Sequence, residues 1–368
     1  MKRVWLLVLC SILMIVAGAG LVSAQAEAPL VISLNGDLWS WNGDPAQPPY
    51  ALTSWGYNDP AVLSPDGTRI AYNSVAQLVV EAMGRVGGIG GGALPSNIWV
   101  INLGSGDGVR VADQPADASF FTEGVADRGI IRSDPAWSPE GGRLVWTEET
   151  YPERINSIVL HDFAAGPRVI AGNLPPSAGV PAPKEVRWGQ SGILVRDTQV
   201  SGDGSLATSF SLFSPDGALF NSFQVGDGLR TPVFYDFMQA GDREMIGVLF
   251  NDGVWMLYDP FSGAEEVAAG IPEMYSLRNP SGSLALSPII NDIGGFTWRA
   301  FDPAGVTVAE FVSAPYFVPQ RYAISPSVQA IAYSDYLEDQ RIFSDSINVW
   351  QAGTITVIPS AVGFPLIG

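Results

Sequence analysis

Cysteine is almost missing from this chain of 368 residues: Cys10 is the only one. It lies inside an N-terminal apolar run, after Leu9 rather than the small residue that a lipidated cysteine follows. Residues 1–26 read as a signal peptide. Lys2 and Arg3 form the basic start, Val4 to Val22 is apolar apart from Ser11, and the small residues Ala24 and Ala26 fit a cleavage site. The alternative is an uncleaved anchor, because an apolar run of this length just reaches across a bilayer. No other stretch is long and apolar enough to span, so no membrane span is expected after cleavage. Without its leader the chain has no thiol, which excludes disulfides, cysteine metal sites and a cysteine nucleophile.

Histidine is as scarce. His161 stands alone, beside Asp162, and there is no G-x-S-x-G elbow to pair it with a serine. A histidine-based triad and most transition-metal sites are therefore not expected. No D-x-[DN]-x-[DN]-G calcium loop occurs, and the glycine run 84–92 lacks the Lys-Ser/Thr ending of a phosphate loop. We expect no metal and no cofactor. Basic residues are also few, 19 Lys and Arg against 37 Asp and Glu, for a net charge of −18 that becomes −20 once Lys2 and Arg3 are removed. Such a surface repels phosphate backbones and anionic lipid, so no nucleic-acid partner is expected.

Turn-forming residues are abundant: 41 glycines and 28 prolines at 47% apolar content favour many short strands over long helices. A repeat organises them. "PAVLSPDGTRIAYNS" (60–74) matches "PAWSPEGGRLVWTEE" (135–149), and weaker copies follow at 185–198, 232–250, 275–287 and 322–335. The turn glycines fall at 67, 141, 192, 241 and 282, with Val328 taking the place in the sixth copy. Steps of 40–50 residues, apart from one of 74, match the blade period of a β-propeller. Seven alternating hairpins lie between the copies, at 37–53, 97–112, 157–171, 210–223, 253–268, 296–311 and 347–359. An inner and an outer hairpin make a four-stranded antiparallel blade.

The expected fold is therefore an all-β propeller in one domain, residues 27–368. Seven outer hairpins against six inner ones predict seven blades, the last built from both chain ends through 29–33 and 363–368. Six blades is the alternative. The long step holds a Gly-rich insertion at 75–96, read as a mobile loop with a short helix from Ala76 to Met83.

In Ser-Pro-Asp-Gly, Pro65 presets φ, Asp66 tolerates the next position, Gly67 takes positive φ, and Ser64 bonds the turn backbone. The same four residues at 214–217 fall in an outer hairpin, a non-equivalent place. That is expected of turn chemistry and not of a catalytic serine.

The copies at 60–74 and 135–149 resemble the WD-like propeller repeat of the TolB family, which also occurs in propeller domains of prolyl-oligopeptidase-type peptidases. The second copy, with Trp137, Ser138, Pro139 and Gly141, fits that pattern best; the first has Leu63 where the tryptophan stands. The resemblance implies the propeller fold. It implies no activity, because the chain shows neither the N-terminal α/β domain of TolB nor a hydrolase domain.

In that family the position before each inner strand faces the mouth of the central channel. Here these positions hold Asp59, Asp134, Glu185, Arg230, Glu273 and Arg321, a mixed ring suited to a peptide terminus or a cation. Asp59 and Asp134, each before a proline, also fit plain turn roles. Trp55 and Tyr57, in a loop, are candidates for contact with a sugar or a partner. Together these readings predict an exported, extracytoplasmic propeller without catalysis, binding a protein or peptide of the cell envelope. The alternatives are a polysaccharide lyase or hydrolase, or a glycan-binding propeller, at the same mouth.

Overall fold

The computed structural model describes residues 30–34, 36–41, 49–59, 61–86, 94–119, 128–176, 183–200, 206–226, 230–240, 242–267, 277–278, 285–290, 296–302, 304, 306–312, 322–324, 330–333, 336–337, 342–343, 347–351 and 353–358. The signal segment, residues 363–368, Glu273 and Arg321 lie outside them.

Antiparallel sheets follow one another along the chain. The first holds β1 (Leu30–Leu34), β2 (Asp37–Trp41) and β3 (Tyr50–Ala51). The second holds β4 (Val62–Leu63), β5 (Arg69–Val75), β6 (Ser96–Asn102) and β7 (Gly108–Ala112). In the third, β8 (Gly129–Arg132) and β9 (Ala136–Trp137) both pair with β10 (Arg143–Tyr151), followed by β11 (Asn156–Asp162) and β12 (Gly166–Leu174). The fourth is β13 (Glu185–Gly189), β14 (Gly192–Val200), β15 (Leu206–Phe213) and β16 (Leu219–Val225). The fifth is β17 (Pro232–Ala240), β18 (Arg243–Phe250), β19 (Trp255–Tyr258) and β20 (Glu265–Val267). The sixth is β21 (Leu277–Arg278), β22 (Ala285–Ile290), β23 (Phe296–Phe301) and β24 (Thr307–Val312). In the last, β25 (Tyr322–Ile324) and β26 (Ala330–Tyr333) are followed by a small hairpin, β27 (Tyr336–Leu337) and β28 (Ile342–Phe343), before β29 (Ile347–Gln351) and β30 (Thr354–Ile358).

The strands occur where the repeat places them. Each of the seven outer hairpins is present, and 30–34 pairs beside the first of them. The fold is a β-propeller, with successive sheets stacked face to face. Their cores bridge neighbours: Leu194 and Phe210 of the fourth sheet meet Tyr235, Ile246 and Val248 of the fifth. Leu38 of the first meets Ile70 and Tyr72 of the second. First strands also touch: β4 lies against β9, β9 against β13, and β13 against β17; β1, which flanks the first outer hairpin, lies against the first strand β25.

Ser-Pro-Asp-Gly closes a hairpin at every site where it occurs. The Gly67 amide donates to the Ser64 carbonyl at 2.8 Å, Gly217 to Ser214 at 2.9 Å, and the variant Gly141 to Ser138 at 2.8 Å. All three glycines have positive φ, of 70°, 91° and 75° respectively. Ser64 Oγ accepts from the Arg69 amide at 2.9 Å and donates to Asp66 at 2.6 Å. Its hydroxyl is spent on the turn, and its side chain is buried.

The tryptophan of the repeat has a bonding role. Trp137 Nε1 donates to the Val62 carbonyl of the preceding sheet at 3.0 Å. Its ring lies under the Arg69 guanidinium at 4.8 Å, and Arg69 in turn donates to the Gly141 carbonyl at 2.7 Å. One residue thus stitches two sheets by packing, a hydrogen bond and a cation–π contact.

The insertion forms α1 (Gln77–Val86), slightly longer than the short helix expected from Ala76 to Met83. Val79 and Ala82 bury its inner face. Residues 87–93, the rest of the expected loop, lie outside the described residues. Among the described residues no helix is long and apolar enough to cross a membrane.

Candidate functional site

In an antiparallel sheet the inner strand begins where the second strand ends. The residues ahead of the inner strands and the connections between second and third strands therefore share one end of the molecule. The Ser-Pro-Asp-Gly turns of the inner hairpins lie at the other. Asp59, Asp134, Glu185 and the helix α1 all belong to the first end.

Strong local bonding sets the strands that carry these groups. The Asp59 amide donates to the Asn73 carbonyl at 2.9 Å. Ahead of Asp134, Arg132 is buried and ion-paired with Glu148 at 2.7 Å. The same guanidinium donates to the Ser96 carbonyl at 2.5 Å and the Asp113 carbonyl at 2.9 Å. Before Glu185, Lys184 pairs with Asp197 at 2.6 Å, and its carbonyl accepts from Thr147 Oγ1. Buried charges paired on several sides fix backbone position, whatever their net effect on stability.

Around this frame three successive inner strands bring charge together. Asp59, Asp134 and Glu185 each keep an open face to solvent. Burial among protein atoms raises the Asp59 pKa above the usual carboxylate range. For Asp134, burial first and then the charge of Asp59 push it up to about 7; Arg187 opposes the shift and Glu185 adds to it. The charge of Asp59 thus acts on Asp134 across neighbouring first strands.

Sequence reasoning missed Arg187, Tyr235 and Asp236. Burial works against the Arg187 cation, but Tyr235, Asp236, Glu185 and Asp134 around it hold its pKa above the ordinary value. The guanidinium lies 5.1 Å from the Tyr235 ring, and that of Arg196 lies 5.5 Å away. Tyr235 Oη donates to Glu185 Oε2 at 2.8 Å, and Arg196 pairs with Glu185 at 3.1 Å. Burial raises the pKa of Asp236, again with Arg187 opposing. The one available signal was polar residues at alternate positions inside apolar first strands, as in Glu185-x-Arg187.

The remaining candidates divide. Arg230 is drawn to Asp252 at 2.8 Å and lies over Phe250 at 5.0 Å. The fifth sheet contributes Tyr235 and Asp236 to the cluster instead. Glu273 and Arg321 lie outside the described residues. Trp55 and Tyr57 stand exposed together, with ring centroids 5.8 Å apart. His161 packs against Phe163 at 4.9 Å and Trp146 at 6.4 Å, and burial lowers its pKa. Among the described residues no group of three or more His, Cys, Asp or Glu is placed to hold a metal ion.

No family model matches the chain, and no curated protein matches it; the TolB resemblance thus has no family-model support. Similar solved structures do exist. One is the β-propeller domain of the Trilobed protease from Pyrococcus furiosus, 11% identical, TM-score 0.44, covering 83% of this chain and 85% of that one. Another is acylaminoacyl peptidase from Pyrococcus horikoshii, 13% identical, TM-score 0.48, covering 82% of this chain. The match covers 46% of the peptidase, so this chain spans less than half of that protein's length. A third is an oligogalacturonate lyase in complex with manganese, 12% identical, TM-score 0.48, covering 81% of this chain and 78% of the lyase.

The expectation of a chain without catalysis is withdrawn, because the similar structures include enzymes and parts of enzymes. Sequence reasoning looked for contiguous motifs, whereas the carboxyl groups and the guanidinium at this end come from separate first strands.

Proposed function

We propose that the channel mouth is an acid–base site that hydrolyses glycosidic bonds. The observation that carries it is the placing of Asp59 and Asp134 ahead of first strands β4 and β9, which lie against each other, with the charges of Asp59 and Arg187 both acting on Asp134. Glycoside hydrolysis needs two carboxyl groups in opposite protonation states. Asp134 donates its proton to the glycosidic oxygen as the C–O bond breaks. Asp59 takes a proton from the water that attacks the anomeric carbon. Asp134 is left ionised and Asp59 protonated, and solvent exchange resets both. Arg187 holds the negative charge that develops on Asp134.

Peptide hydrolysis by a serine–histidine mechanism fits less well. His161 lies in an outer hairpin packed among aromatics, and no serine is hydrogen-bonded to it among the described residues. Elimination on a uronate fits less well too, since the described mouth holds more carboxylates than cations.

The same reading takes the sheets as seven blades round one channel. The contact of β1 with β25 supports a seventh blade next to the last sheet. It also takes the chain as exported by residues 1–26, which places an extracellular glycan within reach.

The test is reducing-end release from a panel of neutral oligosaccharides. Wild type should cleave at least one of them. Asp134→Asn should lower kcat by about 10²-fold or more, and Asp59→Asn comparably. No release from any member, or full activity in Asp134→Asn, would sink the reading.

A further inference from the structure

The acid–base pair does not use the corner made by Trp55 and Tyr57. These two rings meet edge to face, 63° apart with centroids at 5.8 Å, and each is 37% exposed. Exposed rings on a loop are ordinarily free to move. Here the loop is pinned from beneath. The Asp37 carboxylate accepts from Thr53 Oγ1 at 2.8 Å, the Gly56 amide at 2.9 Å and Asn58 Nδ2 at 3.2 Å. The Gly36 carbonyl accepts from both the amide and the side chain of Asn58 at 2.8 Å. Gly36 passes so close that a Cβ there would stand 2.2 Å from the Gly56 oxygen.

The indole itself is held. Trp55 Nε1 donates to the Val75 carbonyl at 3.1 Å, fixing it to the strand that leads into α1, and the Tyr57 ring packs against it. Between the rings, Gly56 has φ of 76°, and the space a Cβ would occupy is open. The corner therefore has a fixed indole wall, a tyrosine wall leaning on it and a floor without a side chain. Asp59, the proposed base, lies two residues beyond Tyr57.

We propose that this corner is a stacking subsite for a neutral sugar ring of the glycan whose bond is cleaved at the mouth. The proposal rests on the hydrolytic reading for the ligand's nature. A hexose has an apolar C–H face that stacks on one ring, and a hydroxyl rim that meets the other edge and nearby acceptors. Pre-fixed aromatics cost little ordering entropy on binding. A neutral glycan is favoured over a polyanionic one by the chain's net charge of −18.

The experiment uses the full mature chain carrying Asp134→Asn, so that ligand is bound without turnover. Cellohexaose, xylohexaose, mannohexaose and hexa-N-acetylchitohexaose are titrated by calorimetry. At least one should bind, and Trp55→Ala or Tyr57→Ala should each weaken it by about tenfold, the loss of one stacked face. Tyr57→Phe should preserve binding, and so should Phe220→Ala, which removes an exposed ring elsewhere. Matching melting temperatures establish that the variants are folded. The proposal is overturned if no hexasaccharide binds, if binding ignores both ring deletions, or if only a polyproline peptide or a polyuronate binds. Cleavage by wild type with an unchanged KM in Trp55→Ala would overturn the subsite and leave the acid–base pair standing. Binding at the corner without cleavage by wild type would do the reverse.

Discussion

At Asp134 a carboxyl group is held up to about 7, chiefly by burial and then by the charge of Asp59. An acid whose folded pKa exceeds its unfolded value binds the extra proton only in the folded state. Folding stability therefore falls as pH rises from about 4 to about 7, and this loss is complete above that range. Asparagine cannot ionise, so Asp134→Asn should gain stability over wild type as pH rises through this window. Thermal melts at pH 4.5 and pH 8 check this; an equal difference at both pH values contradicts it. Tyr235 makes a second test. It is buried, and its hydroxyl holds Glu185. Tyr235→Phe should cost about 1 kcal/mol in denaturant unfolding, the net worth of one hydrogen bond. It should also alter activity by leaving the Glu185 carboxylate to Arg196 alone.

Among the elements, the joints between sheets carry the tension between packing and polarity. Trp137 joins the second and third sheets through Val62 and Arg69. Trp137→Phe should cost about 1 kcal/mol and Trp137→Ala about 3–5 kcal/mol, read from urea midpoints. Arg132 joins the same sheets with a buried guanidinium on Glu148, Ser96 and Asp113. Arg132→Ala strands Glu148 and should cost about 3–5 kcal/mol; a loss under about 1 kcal/mol would show that the joint is not structural. The outer and inner hairpins were legible from sequence because their turns need glycine at positive φ and their strands alternate. Asp59, Asp134 and Glu185 were legible from their place ahead of the first strands. Arg187, Tyr235 and Asp236 were not, because they sit within strands whose neighbours are core residues. Only the third dimension brings alternate residues of neighbouring first strands together. Arg230 pairs with Asp252, in the connection between β18 and β19 at the same end.

For the whole molecule, repetition makes the scaffold and departures from repetition make the site. The strongest copies of the turn lie at one end, where Ser64 and Ser138 are buried in bonding. At the other end each sheet contributes a different group, and α1 has no counterpart among the described residues. The pH dependence of kcat/KM for neutral oligosaccharide hydrolysis tests this account most directly. It predicts a bell whose upper limb falls through a pH of about 7 as Asp134 loses its proton, and the loss of that limb with most of the activity in Asp134→Asn. Activity that stays level through pH 7, or an upper limb unchanged in Asp134→Asn, would contradict it.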